Sequence, residues 1–180
     1  MIRRASHLVS RFAGSVRPGG PRAADVAWVE SRLSPAELAL WQRMPAADRR
    51  ESVAVARRFV RNHGTEPLDA LVAAALLHDV GKTEANLGTV GRSLATMAGV
   101  LAGHDVAPAW QARGGISRRF ALYLRHEEVG AGMLEIAGAR REAVAWARAH
   151  HHAEQWDHLP FPRSAANALA RADGERVPSD

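Results

Sequence analysis

The sequence predicts an all-α fold, and three observations support this class. Alanine is abundant, and from Ala24 onward the apolar residues recur at the spacing of amphipathic helices. No segment alternates apolar and polar residues with a period of two, so no β-strand is predicted. The chain of 180 residues is long enough to bury a sizeable core as one domain.

The composition limits the chemistry that the chain can perform. Cysteine is absent, which excludes disulfide bonds and a thiolate zinc site. A bound metal would therefore need histidine and carboxylate ligands, and the absence of thiols also fits a reducing cytoplasm. No apolar run approaches the roughly 18 residues of a membrane span, so we expect no membrane-spanning segment.

The first 22 residues form a basic segment with five arginines and no acidic residue before Asp25. An organellar transit peptide, a nucleic-acid-binding arm and a membrane-surface helix all fit this pattern. We favour a solvated, flexible tail that ends in the linker at residues 18–21. Aromatic residues other than Phe12 do not interleave with the arginines, so nucleic acid is not an expected partner. The folded domain is expected at residues 23–176, followed by a tail at 177–180.

The first predicted helices carry clear boundary signals. Ser34, Pro35 and Glu37 form a capping box with proline at the first helical position, and this helix should run to about Met44. The next helix is predicted over residues 47–62. Glu51 lies in its first turn, at the border of the apolar stripe.

The third helix ends in the sequence AAALLHDVGK, residues 73–82, and this is the most informative segment of the chain. At the end of a helix, His78 and Asp79 can both lean over one cavity, and a nitrogen ligand beside an oxygen ligand suits Mn, Fe, Zn or Mg. Gly81 is predicted to adopt the left-handed conformation and to turn Lys82 back across the site. Lys82 is the only lysine, which indicates a cation for a phosphate group or an anionic transition state. From the doublet alone, simple helix capping by the two side chains also remains open.

The remaining segments supply further polar residues. A helix over residues 89–102 should precede a loop at 103–115, whose doublet His104-Asp105 is interpreted as a surface feature. Helices at 117–125, 127–137 and 140–149 would deliver His126 and the triplet that begins with His150 and His151. After a loop at 157–162, Ser164 is predicted to cap a last helix that runs through Ala172 and is ended by Asp173-Gly174.

Taken in order, LLHDVGK, RHEEVGAG, AHHHAEQW and the final Asp173 resemble the HD-domain superfamily of metal-dependent phosphohydrolases, over roughly residues 47–173. The resemblance implies a helical bundle in which His78, Asp79 and Asp173 bind a divalent metal ion, and Asp79 could bridge a second ion. It also implies that Lys82 contacts a substrate phosphate. The residues that match a two-metal or phosphate-binding pocket are His126, His150 and His151.

One position departs from the family pattern. Where the family has its first histidine ligand, this chain has Glu51, within DRRESVAVA. A carboxylate in place of an imidazole makes the ligand set more negative and favours harder ions such as Mn or Mg. Alternatively, the metal is lost and an arginine such as Arg50 replaces it, since crowded carboxylates repel one another without a cation.

The expected function is hydrolysis of a phosphomonoester or phosphodiester in a nucleotide-like or other phosphorylated small molecule. A metal ion would activate water and polarise the phosphoryl group, while Asp79 orients the water and Lys82 neutralises developing charge. His126 or His150 would protonate the leaving oxygen, and His151 would bind substrate. A non-catalytic binding or regulatory module is the alternative, and a nucleic-acid-binding protein that uses the N-terminal arginines ranks last.

Overall fold

A computed structural model describes residues 19–63, 68–87, 91, 95, 115–175 and 177, and these residues contain no strand, which confirms the all-α prediction. Of the predicted helix at 89–102 only residues 91 and 95 are described, both as helical, and the His104-Asp105 doublet and residues 1–18 fall outside this description. None of the described helices has the length and apolarity that crossing a bilayer requires. The described elements are α1 Ala23–Glu30, α2 Pro35–Arg43, α3 Ala46–Asn62, α4 Asp69–Leu77, α5 Lys82–Ala85, α6 Gly115–Leu124, α7 His126–Ile136, α8 Arg141–Ala149, a 3-10 helix Ala153–His158 and α9 Arg163–Asp173.

Helix α4 is the centre of the core. Every residue from Leu71 to Leu77 is buried, which is why this helix is built from alanine, leucine and valine on all of its faces. It packs against α3 on one side and α8 on another, while α7 packs on α8 and α9 packs on α3. Since α4 is surrounded, its C-terminal end opens into the interior of the bundle, and the residues that follow it are enclosed as well.

The capping box of α2 is confirmed. Ser34 Oγ accepts the backbone N–H of Glu37, and Glu37 Oε2 accepts the N–H of Ser34 at 2.8 Å. Glu37 is also fully buried, and its Oε1 accepts the backbone N–H of Arg140 at 3.0 Å. The same carboxylate thus closes α2 and ties it to the start of α8, a second role that the local sequence did not reveal.

The end of the chain differs from the prediction at two points. Helix α9 begins at Arg163 with Pro162 before it, and Ser164 does not cap it, so the predicted serine cap is wrong. The fixed φ of Pro162 makes it a natural helix start without a side-chain cap. Residues 157 and 158, predicted as loop, end the 3-10 helix. At the other end Gly174 takes the left-handed conformation with φ of +88° directly after Asp173.

Gly81 also differs from the prediction, because its φ of −63° and ψ of −22° are right-handed rather than left-handed. The reason for glycine is space. A Cβ atom at this position would lie 2.0 Å from the carbonyl oxygen of His126 and 2.5 Å from the backbone nitrogen of Gly130. Gly81 therefore lets the turn after α4 touch the backbone of α7, and this contact fixes where His126 lies relative to His78.

We expect Gly81→Ala to lower the free energy of unfolding by about 1–3 kcal/mol, because backbone atoms of α7 have to move to admit the methyl group. Gly132→Ala is the matched control. Gly132 lies within α7, and a Cβ atom there would meet no heavy atom within 4 Å, so alanine should be neutral or stabilise by about 0.5–1 kcal/mol. Urea unfolding followed by circular dichroism measures both. Equal stabilities of the two variants would contradict the close approach at Gly81.

Candidate metal centre

Three buried histidines enter one site from the ends of three helices. His78 follows the last residue of α4, His126 is the first residue of α7, and His150 follows the last residue of α8. Their exposed fractions are 3 %, 7 % and 1 %. Each Nδ1 lies 3.0 Å from the backbone carbonyl oxygen three residues earlier, and these oxygens belong to Ala75, Tyr123 and Ala147.

These carbonyl contacts decide the tautomer of the rings. A carbonyl oxygen only accepts hydrogen bonds, so each histidine donates its Nδ1–H, and the neutral ring then carries an electron pair on Nε2. A histidine that ligates a metal is commonly held in this way by a backbone carbonyl on its other nitrogen. All three rings therefore present the atom that a metal ion requires.

The three Nε2 atoms converge on two carboxylates. His78 Nε2 lies 3.6 Å from Asp79 Oδ2 and 3.7 Å from Asp173 Oδ1. His126 Nε2 and His150 Nε2 lie 3.3 Å and 3.8 Å from Asp79 Oδ1. Asp79 is thus the centre of the cluster, and the packing of α9 on α3 brings Asp173 to it from the far end of the domain.

The arrangement fits a divalent cation. Three atoms of the site, Asp79 Oδ1, His126 Nε2 and His150 Nε2, are buried and have no hydrogen-bond partner among the described residues. Ligand atoms around one cation with bonds of about 2.1 Å are roughly 3–3.5 Å apart, close to the separations found here. Imidazole nitrogen together with carboxylate oxygen suits Mn, Fe, Zn or similar ions.

His151 lies at the rim of the site and defines a second place for a cation. Each of His126, His150 and His151 offers one ring nitrogen, and these three atoms all lie within 4.8 Å of one another. Its Nδ1 contacts Glu175, and its Nε2 lies 3.9 Å from Glu127 Oε1. Burial lowers the pKa of His151, but the Glu175 and Glu127 carboxylates outweigh this effect and raise the pKa above its usual value.

Sequence reasoning missed both acidic residues beside His151. Glu127 follows His126 directly and is 15 % exposed, while Glu175 comes just after α9. The only signal for Glu127 was its place beside a predicted site histidine. Glu175 gave no signal, because its contact with His151 depends on how α9 ends.

Lys82 supplies a positive charge inside the site. Its Nζ lies 2.5 Å from Asp79 Oδ2, so the lysine does turn back over the site, as predicted, although through a right-handed turn. Burial tends to raise the pKa of Asp79, but Lys82, His78 and His126 hold this pKa well below its usual value. Burial lowers the pKa of Lys82, and Asp79 overcomes this and raises it. Both partners are therefore charged at neutral pH.

Glu51 is held by an arginine that the sequence analysis did not identify. Its carboxylate, 44 % exposed, lies 3.4 Å from Arg58 Nη2, and Arg58 Nε donates to the carbonyl of Ala172 at 2.7 Å. Arg58 thereby links Glu51 to the end of α9, one residue before Asp173. Among the described residues Glu51 forms its ion pair with Arg58, whereas Arg50, the arginine suggested from sequence, donates to the carbonyl of Gly19. The i, i+7 spacing of Glu51 and Arg58 on α3 was the available signal.

His150 is neutral at neutral pH for a physical reason. Burial lowers its pKa well below the usual value of 6.5, and the neighbouring His78 and His151 lower it further. The folded-state pKa of His150 lies below the unfolded value, so its contribution to stability is complete above about pH 6.5 and is lost as the pH falls. His151 has the opposite sign, so its contribution is complete below about pH 6.5 and is lost as the pH rises through its raised pKa.

We therefore expect the metal-free protein, in the presence of a chelator, to lose up to about 1.4 kcal/mol of unfolding free energy per pH unit below the ordinary histidine pKa. His150→Asn retains a donor for the carbonyl of Ala147 and removes the titrating ring, so it should flatten the acid side of the profile. His151→Asn is the matched control, and it should keep the acid side steep, because burial and His78 still lower the pKa of His150. Melting temperatures across the pH range test this, and an unchanged acid slope in His150→Asn would contradict it.

Comparison with known proteins supports the same interpretation. The sequence profile described as the HD domain matches residues 50–177, which include every residue of the cluster and Glu51. No curated protein and no solved structure matches the chain. The profile covers more than half of the sequence, and HD domains typically bind divalent metals. The chain accordingly belongs to the HD domain family, within a superfamily of metal-dependent phosphohydrolases.

Proposed function

We propose that this protein is a metal-dependent phosphohydrolase that acts on a nucleotide-like or other phosphorylated small molecule. The observation that carries the proposal is the convergence of three imidazole Nε2 atoms on the Asp79 carboxylate, beside the ammonium group of Lys82, whose side chain is 17 % exposed. A cluster that can bind a metal ion and that also carries the ammonium group of Lys82 suits a substrate with an anionic phosphoryl group.

His78, Asp79 and Asp173 would hold the metal ion. The nearest carboxylate oxygens of Asp79 and Asp173 lie 3.6 Å and 3.7 Å from His78 Nε2. Glu51 is the proposed fourth ligand, and it has to leave Arg58 to take this role. The histidines at 126, 150 and 151 are the proposed ligands of a second ion or of the substrate phosphate. When bound, a divalent cation supplies Lewis acidity and positive charge at the phosphoryl group.

The side chains of the chain supply positioning and proton transfer. Asp79 remains ionised at neutral pH because of its lowered pKa, so it can accept a hydrogen bond from the attacking water and orient it. Lys82 is within 2.5 Å of this carboxylate and can donate to the phosphoryl oxygens that gain charge in the reaction. Asp79 thus acts on the attacking water, and Lys82 acts on the phosphoryl group that the water attacks.

The three histidines at the far side of the site differ in what they can donate. The pKa of His150 is lowered by burial, so this ring is neutral and acts as an acceptor or ligand. The pKa of His151 is raised, despite its burial, by Glu175, and a protonated ring at 39 % exposure suits an anionic group of the entering substrate. When no second ion is bound to it, His126 is the proposed group that protonates the leaving oxygen, and this role requires a proton on Nε2.

We expect Asp79→Asn to lose bound metal and to lower the hydrolysis of p-nitrophenyl phosphate or bis(p-nitrophenyl) phosphate by at least about 100-fold in Mn or Mg. Asp69→Asn is the matched control, since Asp69 begins α4 and pairs with Arg32 at the protein surface. This control should keep its metal and its activity. Metal content by mass spectrometry and initial rates with and without EDTA give the answer. A wild-type protein that holds no metal and hydrolyses neither ester in either ion would refute the proposal.

A non-catalytic binding module is the second candidate, and one feature favours it. Two acidic residues of the site already form ion pairs with basic side chains, because Lys82 contacts Asp79 and Arg58 contacts Glu51. These pairs neutralise the carboxylates without a metal ion. Such a domain would bind a phosphorylated ligand and not cleave it.

Glu51→His separates the two candidates. For a hydrolase, wild-type protein is active, and the variant should shift its preference from Mn or Mg toward softer ions such as Zn, since imidazole replaces a carboxylate. Rates measured in each ion after chelation and reloading provide the test. An inactive wild type whose hydrolysis appears only in Glu51→His would instead identify a module that lost catalysis at this position.

A further inference from the structure

His151 is held differently from the three buried histidines of the site. Each of those three rings has its Nδ1 on a backbone carbonyl oxygen, whereas Nδ1 of His151 contacts the carboxylate of Glu175. An ionised carboxylate only accepts hydrogen bonds, so His151 also donates its Nδ1–H. Nε2 is then the ring nitrogen that remains for a ligand, as it is in the other three rings.

The Nε2 atom of His151 is turned toward the start of α7. It lies 3.9 Å from Glu127 Oε1, and Glu127 follows His126 directly. The ring centroid of His151 is 5.5 Å from that of His126 and 4.0 Å from that of His150. His151 therefore completes the group of three nitrogens that lie within 4.8 Å of one another.

Packing alone does not fix the ring of His151. Its side chain is 39 % exposed, whereas those of His126 and His150 are 9 % and 2 % exposed. A half-exposed side chain can leave its rotamer more easily than a buried one, because no close-packed neighbours enclose it. The contact with Glu175 is thus the interaction that orients this ring.

Glu175 owes its position to the backbone of the turn that ends α9. The backbone N–H of Gly174 donates to the carbonyl of Arg171 at 3.1 Å, and that of Glu175 donates to the carbonyl of Ala170 at 2.9 Å. Together with the positive φ of Gly174, these two bonds form a Schellman motif. Both bonds use main-chain atoms, so the turn does not require the side chain of Glu175.

The same turn serves two histidines from different helices. Asp173 Oδ1 lies 3.7 Å from Nε2 of His78, which follows α4, while Glu175 contacts Nδ1 of His151, which follows α8. The first carboxylate meets the nitrogen that a metal ion would use, and the second meets the opposite nitrogen. Asp173 is therefore placed as a ligand, and Glu175 is placed to hold a ligand.

We propose that Glu175 is a positioning residue that holds the ring of His151 through Nδ1 and keeps Nε2 available to an ion shared with His126 and His150. The proposal rests on the proposed function for the presence of this second ion. A carboxylate on the outer nitrogen of a metal-binding histidine fixes the tautomer and the orientation of the ring, and it makes the ligand nitrogen more basic. Glu175 acts through His151 and does not itself bind the ion.

Nitrogen–proton correlation NMR of the metal-free full chain reads the tautomer of His151 directly, and His151→Asn identifies its signals. With EDTA, at a pH where the ring is neutral, the wild type and Glu175→Gln should carry the proton on Nδ1, because the amide oxygen of glutamine also accepts it. Glu175→Ala should lose this preference. A wild-type ring protonated on Nε2, or an unchanged tautomer in Glu175→Ala, would overturn the proposal.

Titration with Mn²⁺, followed by electron paramagnetic resonance of the free ion, counts the bound ions and measures each affinity. Glu175→Ala should weaken one of two sites about 10–100-fold, the usual effect of removing the partner of a metal-binding histidine. The other site should change less than about twofold, because the backbone of the turn still places Asp173. Glu175→Gln should recover most of the lost affinity.

Glu154→Ala is the matched control. Glu154 lies 3.4 Å from Nδ1 of His152, and both side chains are about half exposed or more, so this variant removes the same charge from a neighbouring histidine–glutamate pair. It should change either affinity less than about twofold.

Several results would contradict the positioning role. A wild type that binds a single ion, unchanged affinities in Glu175→Ala, or equal weakening of both sites would overturn it, and so would a Glu175→Gln variant as weak as Glu175→Ala. Two bound ions and the expected tautomers in a protein that hydrolyses no phosphate ester would refute the proposed hydrolysis and support the role of Glu175.

Discussion

The structure depends on the burial of α4 from Leu71 to Leu77. A helix that is apolar on every face has to be surrounded, so its last carbonyl groups lie in the interior, where hydrogen-bond partners are scarce. His78 meets this need, because its ring donates to the carbonyl of Ala75 in the last turn. The same contact fixes the tautomer and turns Nε2 toward Asp79. The hydrogen bond from His78 to Ala75 therefore satisfies the end of the helix and orients a candidate metal ligand at the same time.

The pattern recurs at two further helix ends, which explains how one small site collects three equivalent rings. His150 binds a carbonyl in the last turn of α8, and His126 binds one at the end of α6. The close approach of Gly81 to α7 then sets the distance between the end of α4, which carries His78, and the start of α7, which carries His126. Small residues at the crossing are required because a side chain would push the backbones apart.

Charge balance is the second constraint on the site. The Asp173 carboxylate is buried and that of Asp79 is 17 % exposed, and burying a charge is costly unless an opposite charge is nearby. Lys82 supplies this charge for Asp79, while Arg58 connects Glu51 to the end of α9. A divalent ion would enter a cluster that already contains cations and would compete with Lys82 for one carboxylate. The hydrolase proposal requires the divalent ion to bind Asp79 beside Lys82, whereas in the binding module Lys82 alone neutralises this carboxylate.

The sequence by itself determined the helical class, the capping box of Ser34 and Glu37, the family, and the placement of His78 and Asp79 at the end of an apolar helix. These features depend on residues within a few positions of one another, so periodicity and spacing are sufficient to read them. Tertiary packing alone decided that Asp173 lies 3.7 Å from His78, that Arg58 donates to the carbonyl of Ala172, and that Gly81 is needed for space and not for its φ. Each of these depends on how α3, α7 and α9 pack around α4, and contacts between distant segments leave no local pattern from which to predict them.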